Sequence, residues 1–131
     1  MTTTFDDSVR SLLDGKNFAN VATLRPDGAP QTSVVWMKRE GDTVLFSSLE
    51  DRQKVRNLRR DPRVSLSVFD LADPYTSVEI RGTAEILPDE DKRLPYDLSH
   101  KYLGVDPPAE RDDQTRVIIR VVPQKIVGFQ V

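Results

Sequence analysis

Cysteine is absent from the 131 residues. This excludes disulfides, thiol nucleophiles, thiolate zinc sites and cysteine-held iron–sulfur clusters, and leaves the compartment open. Histidine occurs once, at His100, so a multi-histidine metal centre is excluded. A Ser-His-Asp triad would rest on that one residue, with no nucleophile elbow around any serine and no partner recognisable for it. No run approaches the ~18 to 20 apolar residues that a membrane span requires. The opening segment, Met1 to Asp7, has no basic stretch followed by an apolar one. The expected address is therefore the cytoplasm, with no membrane partner. A charge excess is also lacking: 19 Lys and Arg against 21 Asp and Glu give a formal net charge of -2. No global field attracts nucleic acid, and any anion site must be local. Catalysis by the chain's own side chains is poorly supplied, so the reactive atoms of an enzyme built this way would belong to a bound cofactor.

What is present is a chain of one domain's length, residues 1–131, rich in short strand patterns. Phe5, Val9, Leu12 and Leu13 recur at helical spacing ahead of Gly15, with Thr4 at a weak capping-box distance from Asp7. Phe18 to Arg25 reads as a strand, and the turn Arg25 to Pro30 leads into a second strand from Gln31 to Lys38. A turn at Arg39 to Asp42 precedes a third strand, Thr43 to Ser48, so the pattern predicts a three-stranded meander. Asp51 to Arg60 is helix, stopped by Asp61-Pro62. Val64 to Phe69 and Ser77 to Leu87 alternate with period two, and Gly82 sits where a bulge or barrel bend belongs. Pro88 to Gly104 predicts a helix that Pro95 kinks or divides, and residues 105–114 a surface loop able to act as a lid. Two last strands, Thr115 to Val122 and Lys125 to Val131, are separated by Pro123. The fold class is mainly β: a closed or split antiparallel barrel of six to eight strands with a few short helices.

One segment carries chemistry. Phe46 to Arg60 delivers two hydroxyls, Ser47 and Ser48, to the start of a helix that holds Arg52, Lys54, Arg56, Arg59 and Arg60. Unpaired N–H groups and the positive end of the helix dipole favour an anion there, and nearby cations add full charges. The alternative is a solvated helix whose arginines meet surface carboxylates. Val55 and Leu58 are the only apolar residues between Asp51 and Arg60, a narrow anchoring face for a helix held by packing alone. Trp36, with Thr32 and Val34 on its face, would neighbour the strand Thr43 to Ser48. It is either a core residue or the wall against which a planar ring lies.

The stretches Phe18 to Trp36, Leu45 to Ser48, Arg52 to Val64 and Glu79 to Gly82 together resemble the pyridoxamine 5'-phosphate oxidase-like superfamily. More narrowly, they resemble its deazaflavin (coenzyme F420)-dependent oxidoreductases, and the run Lys54 to Val64 is the most specific part. The resemblance implies a split β-barrel homodimer with two cofactor sites at the subunit interface. It implies that Thr32, Ser33, Val34, Val35 and Trp36 run along the ring system. Ser47, Ser48, Arg52, Lys54 and Asn57 would hold the phosphate and polar tail, and Tyr75 and Ser77 would come from the partner subunit. The oxidase carries basic residues where Met37 and Gln53 stand here, both used on flavin phosphate, so the departure favours F420 over FMN. The implied reaction is hydride transfer between reduced deazaflavin and a small unsaturated acceptor, with no metal and no side chain obliged to act as nucleophile. The alternatives are an FMN-dependent oxidase or reductase of the same fold, and a flavin-, deazaflavin- or tetrapyrrole-binding protein without catalysis.

Overall fold

The structure is a computed structural model that describes residues 3–130. Three helices, α1 (Asp7–Asp14), α2 (Gln53–Arg60) and α3 (Arg93–Tyr102), accompany seven strands. The strands are β1 (Ala19–Leu24), β2 (Pro30–Val35), β3 (Lys38–Glu40), β4 (Thr43–Leu49), β5 (Arg63–Phe69), β6 (Thr76–Pro88) and β7 (Arg116–Gln130). They form one antiparallel sheet in the order β2-β1-β5-β6-β7-β4-β3. Val131, the expected end of the last strand, lies outside the described residues. No helix among the described residues is long and apolar enough to cross a membrane.

The first hairpin, β1 with β2, forms around the Arg25 to Pro30 turn as its sequence requires, but the meander does not continue. The stretch Gln31 to Lys38 is not one strand. It leaves one edge of the sheet at Val35 and re-enters at the opposite edge at Lys38, and β4 pairs with β3 and β7, never with β2. Three Cα steps span at most about 11 Å, so the sheet must be rolled until its two edges lie side by side. The result is a barrel split between β2 and β3, with Trp36 and Met37 bridging the split. The cause is local: Met37 is fully buried and its neighbours Val35 and Trp36 are half-buried, so the period-two alternation fails there.

Other boundaries shift for equally local reasons. The N-cap of α1 is Asp6, whose carboxylate accepts the Val9 N–H at 2.9 Å, and not Thr4. Pro88 closes β6, and α3 starts five residues later. Pro95 therefore falls at the third helical position, whose N–H has no intrahelical acceptor, and it neither kinks nor divides the helix. Asp89 supplies the missing acceptor for α3, taking the Arg93 and Leu94 N–H groups at 2.9 and 3.0 Å. Pro123 does not separate two strands either. Arg81 pairs with Lys125 and Gly82 with Pro123, so Gln124 is the extra residue of a bulge that absorbs the proline within one continuous β7. The bulge expected at Gly82 is there.

The main core packs the inward faces of the strands against Val9, Leu12 and Leu13 of α1 and Val55 and Leu58 of α2. A smaller cluster, Leu45 with Leu94 and Leu98, seats α3 on the other face of β4. The last turn of α3 closes the split. The Tyr102 hydroxyl accepts the Met37 N–H at 3.2 Å and donates to the Asn17 carbonyl at 2.5 Å. The Lys101 ammonium donates to the Leu13 and Met37 carbonyls, both at 2.8 Å, and burial pushes its pKa down to about 8. Tyr102→Phe removes two bonds from partly buried backbone groups while keeping the ring. It should cost about 1 to 3 kcal/mol in a urea unfolding titration; an unchanged midpoint would show that the seam holds without them.

Candidate functional site

The three-residue β3 covers only Thr43 to Leu45 of β4. From Phe46 onward β4 has no neighbour on that side, and a cleft of about 880 Å³ opens along the split. The end of β2 and the bridge contribute Gln31, Val34, Val35 and Trp36; the uncovered end of β4 contributes Ser47, Ser48 and Leu49. Arg52, Gln53 and Lys54 enter from the start of α2, and Pro95 and Leu98 from α3. The loop between α3 and β7 closes one side with residues 107–111 and Gln114, and Arg116 opens β7 opposite Leu49. The volume is in the range of small-molecule and cofactor sites.

The indole of Trp36 is held flat. It stacks on Tyr102 with ring centres 5.1 Å apart and planes 7° from parallel, and Phe18 stacks on the far side of Tyr102 at 5.8 Å and 12°. Also on the cleft wall, the Ser47 hydroxyl is buried and, among the described residues, has no hydrogen-bond partner. Such an orphan in a native fold marks a place where something polar is missing. Arg52 is the N-cap of α2 and makes no capping bond, so the Gln53 and Lys54 N–H groups precede the first intrahelical acceptor. Neither Arg52 nor Lys54 has an ion-pair partner among the described residues. Burial lowers the Lys54 pKa first, and repulsion from Arg52 and then Arg116 lowers it further. Unpaired cations crowded beside an orphaned hydroxyl and a helix start make a cradle for an anion.

The two readings of the basic helix are thereby divided between its residues. Arg56 donates to the Asp51 carbonyl at 2.6 Å and to Gln53 at 2.7 Å, Arg59 pairs with Glu50 at 3.3 Å, and Arg60 donates to the Leu24 carbonyl. These three are structural, and only Arg52 and Lys54 turn to the cleft.

Of the residues singled out from sequence, Val34, Val35, Trp36, Ser47, Ser48, Arg52 and Lys54 come together on the cleft wall. Thr32, Ser33, Asn57, Tyr75 and Ser77 lie outside it. Asn57 is fully buried, and its side chain is used within the protein: it accepts from Gln53 at 2.7 Å and donates to the Thr23 hydroxyl at 3.0 Å, which donates to Gln31 at 3.1 Å. This relay ties together two residues of the wall, Gln53 and Gln31, so Asn57 positions the cleft without touching it. Tyr75 is 64% exposed, in the turn before β6. His100 does have a partner: its Nε2 meets Asp106 Oδ1 at 2.7 Å, on the exposed side of α3.

A family model described as pyridoxamine 5'-phosphate oxidase matches residues 5–129. The chain belongs to that family. Among solved structures, an F420 reductase is 36% identical with a TM-score of 0.84, and the match covers 94% of this chain and 98% of that one. A conserved hypothetical protein from Mycobacterium tuberculosis is 22% identical with a TM-score of 0.79, covering 98% of this chain and 86% of that one. A putative pyridoxamine 5'-phosphate oxidase from Listeria innocua is 23% identical with a TM-score of 0.72, covering 93% and 95%. The last two share the fold.

Set against the family pattern, the two departures have different structural meanings. Met37 is wholly buried in the core and cannot face a ligand from there. Gln53 does line the cleft, but its amide is committed to Asn57 and Arg56. The loop of residues 105–114, expected from sequence as a lid, does border the cleft through Glu110, Arg111 and Gln114, although no residue within it stood out; Gln31 and Arg116 were missed. For Arg116 the signal was its place at the first position of a strand after the loop, usable only once β7 is known to lie beside β4.

Proposed function

We propose that this protein is an F420-dependent oxidoreductase that transfers a hydride between reduced deazaflavin and a small unsaturated organic acceptor. The observation that carries the reading is the pairing, in one cleft, of a rigidly stacked indole with an orphaned hydroxyl and two unpaired cations. A planar ring with an anionic tail fits both features at once. The likeness to an F420 reductase over nearly the whole chain supports the choice of coenzyme, as does the lack of a basic side chain at position 53 on the cleft wall. The family match alone supports the broader class, a flavin- or deazaflavin-linked oxidoreductase, with FMN as the alternative cofactor.

In this reading Val34, Val35 and Trp36 take the ring system, with Thr32 and Ser33 farther along the same strand. Ser47, Ser48, Arg52 and Lys54 hold the phosphate, and Asn57 holds Gln53 and Gln31 in place. The coenzyme, when bound, supplies the hydride. The chain's own work is placement of the two reactants, exclusion of water by the loop of residues 105–114, and donors that meet negative charge developing on the acceptor. No residue is assigned as a proton donor. A homodimer is part of the proposal: Val34 at 65% exposure and Tyr75 at 64% leave large apolar surface uncovered in the single chain. Tyr75 and Ser77, remote from their own cleft, would serve the cleft of a second copy.

Mixing the protein with reduced F420 and a panel of electron-poor alkenes, while following coenzyme oxidation by absorbance, tests the activity. Turnover with at least one acceptor is expected. Tight binding with no turnover across the panel would favour a carrier of deazaflavin, flavin or tetrapyrrole over an enzyme.

A further inference from the structure

Glu110 is the one acidic side chain on the cleft wall, facing a set of cations made by Arg52, Lys54, Arg111 and Arg116. Two basic side chains meet its carboxylate, Arg116 and Lys92. Oε1 alone takes both Arg116 bonds, from Nε at 2.9 Å and from Nη2 at 2.5 Å. Oε2 is buried without a hydrogen bond among the described residues, and the Lys92 ammonium stands 3.3 Å from it. A carboxylate that matches a guanidinium in a fork uses both oxygens, so Arg116 is held here through one oxygen only, while Arg116 first and Lys92 after it lower the Glu110 pKa and keep it charged. Lys92 is itself the only non-glycine residue at positive φ among those described, +53°, and it also donates to the Arg111 carbonyl at 3.4 Å. The loop of residues 105–114 is thus tied to α3 and β7 near the cleft by Lys92 and Glu110, and to the end of α3 by His100 with Asp106 and by the Ser99 hydroxyl on the Val105 carbonyl.

We propose that Glu110 is a resident counter-anion that sets how tightly the cleft holds an anionic group. Its carboxylate holds Arg116 in the free protein, and the anionic group of an incoming ligand takes Arg116 over. The inference rests on reading the cleft as a site for an anionic cofactor. A phosphate offers Arg116 more acceptor oxygens than Oε1 alone does, and it gains from Arg52 and Lys54 at the same time. A ligand without negative charge leaves the resident pair in place. Glu110 therefore acts on anions and leaves neutral ring compounds unaffected, because its own charge weakens every anion bound beside it.

The opposite view, that Glu110 is simply a brace for the loop, predicts the opposite sign, and one variant separates them. Glu110→Gln keeps the size of the side chain and an acceptor for Arg116 but removes the charge. Calorimetric titration with inorganic pyrophosphate, and with F420 and its phosphate-free deazaflavin core, is compared between wild type and variant, with thermal unfolding as a check of folding. The variant should bind pyrophosphate and F420 about three- to thirtyfold more tightly, with the gain shrinking at high salt and no gain for the phosphate-free core. Equal or weaker anion binding by a folded variant overturns the inference, as does an equal gain for the phosphate-free core. A wild type that binds no F420, with a variant that still tightens on pyrophosphate, would sink the cofactor reading and leave the role of Glu110 standing.

Discussion

Gly82→Ala should be the most damaging single-methyl addition in the β6–β7 ladder. A Cβ at this position would lie 2.0 Å from the Val122 carbonyl oxygen, 2.9 Å from its carbon and 3.1 Å from the Pro123 Cα. All three are backbone atoms, so no rotamer change relieves the clash, and the bulge that accommodates Pro123 would have to open. That bulge lies inside the longest pairing of the barrel, from Thr76 opposite Gln130 to Pro88 opposite Val117. The expected loss is about 3 kcal/mol or more in urea unfolding, at the upper end of what overpacking costs. Gly128→Ala is the control in the partner strand β7, because a Cβ there meets nothing within 4 Å. It should change stability by about 0.5 kcal/mol or less if the strand tolerates the substitution as an ordinary surface site does.

Lys54→Ala should weaken cofactor binding by about 1.5 to 3 kcal/mol, the range of a charge-assisted hydrogen bond to an anion, while leaving the fold intact. Arg59→Ala, five residues farther along the same helix, should leave binding unchanged, since Arg59 pairs with Glu50 outside the cleft. A pH dependence follows from the same residue. Its pKa is depressed in the free protein by burial and by Arg52 and Arg116, so it loses its proton at lower pH than an ordinary lysine does. The charged form is the one that holds an anion. Affinity should therefore fall on the alkaline side sooner than for an unperturbed lysine, and the bound anion should move that fall to higher pH. The effect on stability has the other sign: the unfolded chain binds the proton more tightly, so folding gains as pH rises through the interval between the two pKa values. Titrations of wild type and Lys54→Ala across that interval check both signs; a parallel decline in the two proteins would remove Lys54 from the site.

The strands were legible because period-two patterning and turn residues act locally, as in the Arg25 to Pro30 hairpin and the alternation from Val78 to Ile86. The split was not. Gln31 to Lys38 reads as one strand unless it is known that the Met37 side chain packs into the main core and that Lys101 and Tyr102 of α3, more than sixty residues later, hold its backbone. The anion cradle was half legible for a related reason. A strand end feeding a basic helix is a contiguous signal, so Ser47, Arg52 and Lys54 could be named. Their opposite wall, Glu110, Arg111 and Arg116, is joined to them only by the pairing of β4 with β7. Asn57 shows the limit of carrying a motif over residue by residue, because the motif does not say whether a residue touches the ligand or holds another residue that lines the site.

Trp36 is the only tryptophan in the chain, so its fluorescence reports the cleft and little else. Titrating the protein with F420 and with FMN in parallel should give saturable quenching by F420 at one equivalent per chain, with FMN binding more weakly. Saturation by FMN at lower concentration than by F420 would reverse the choice of cofactor, and no saturable change with either would contradict the account of the cleft altogether.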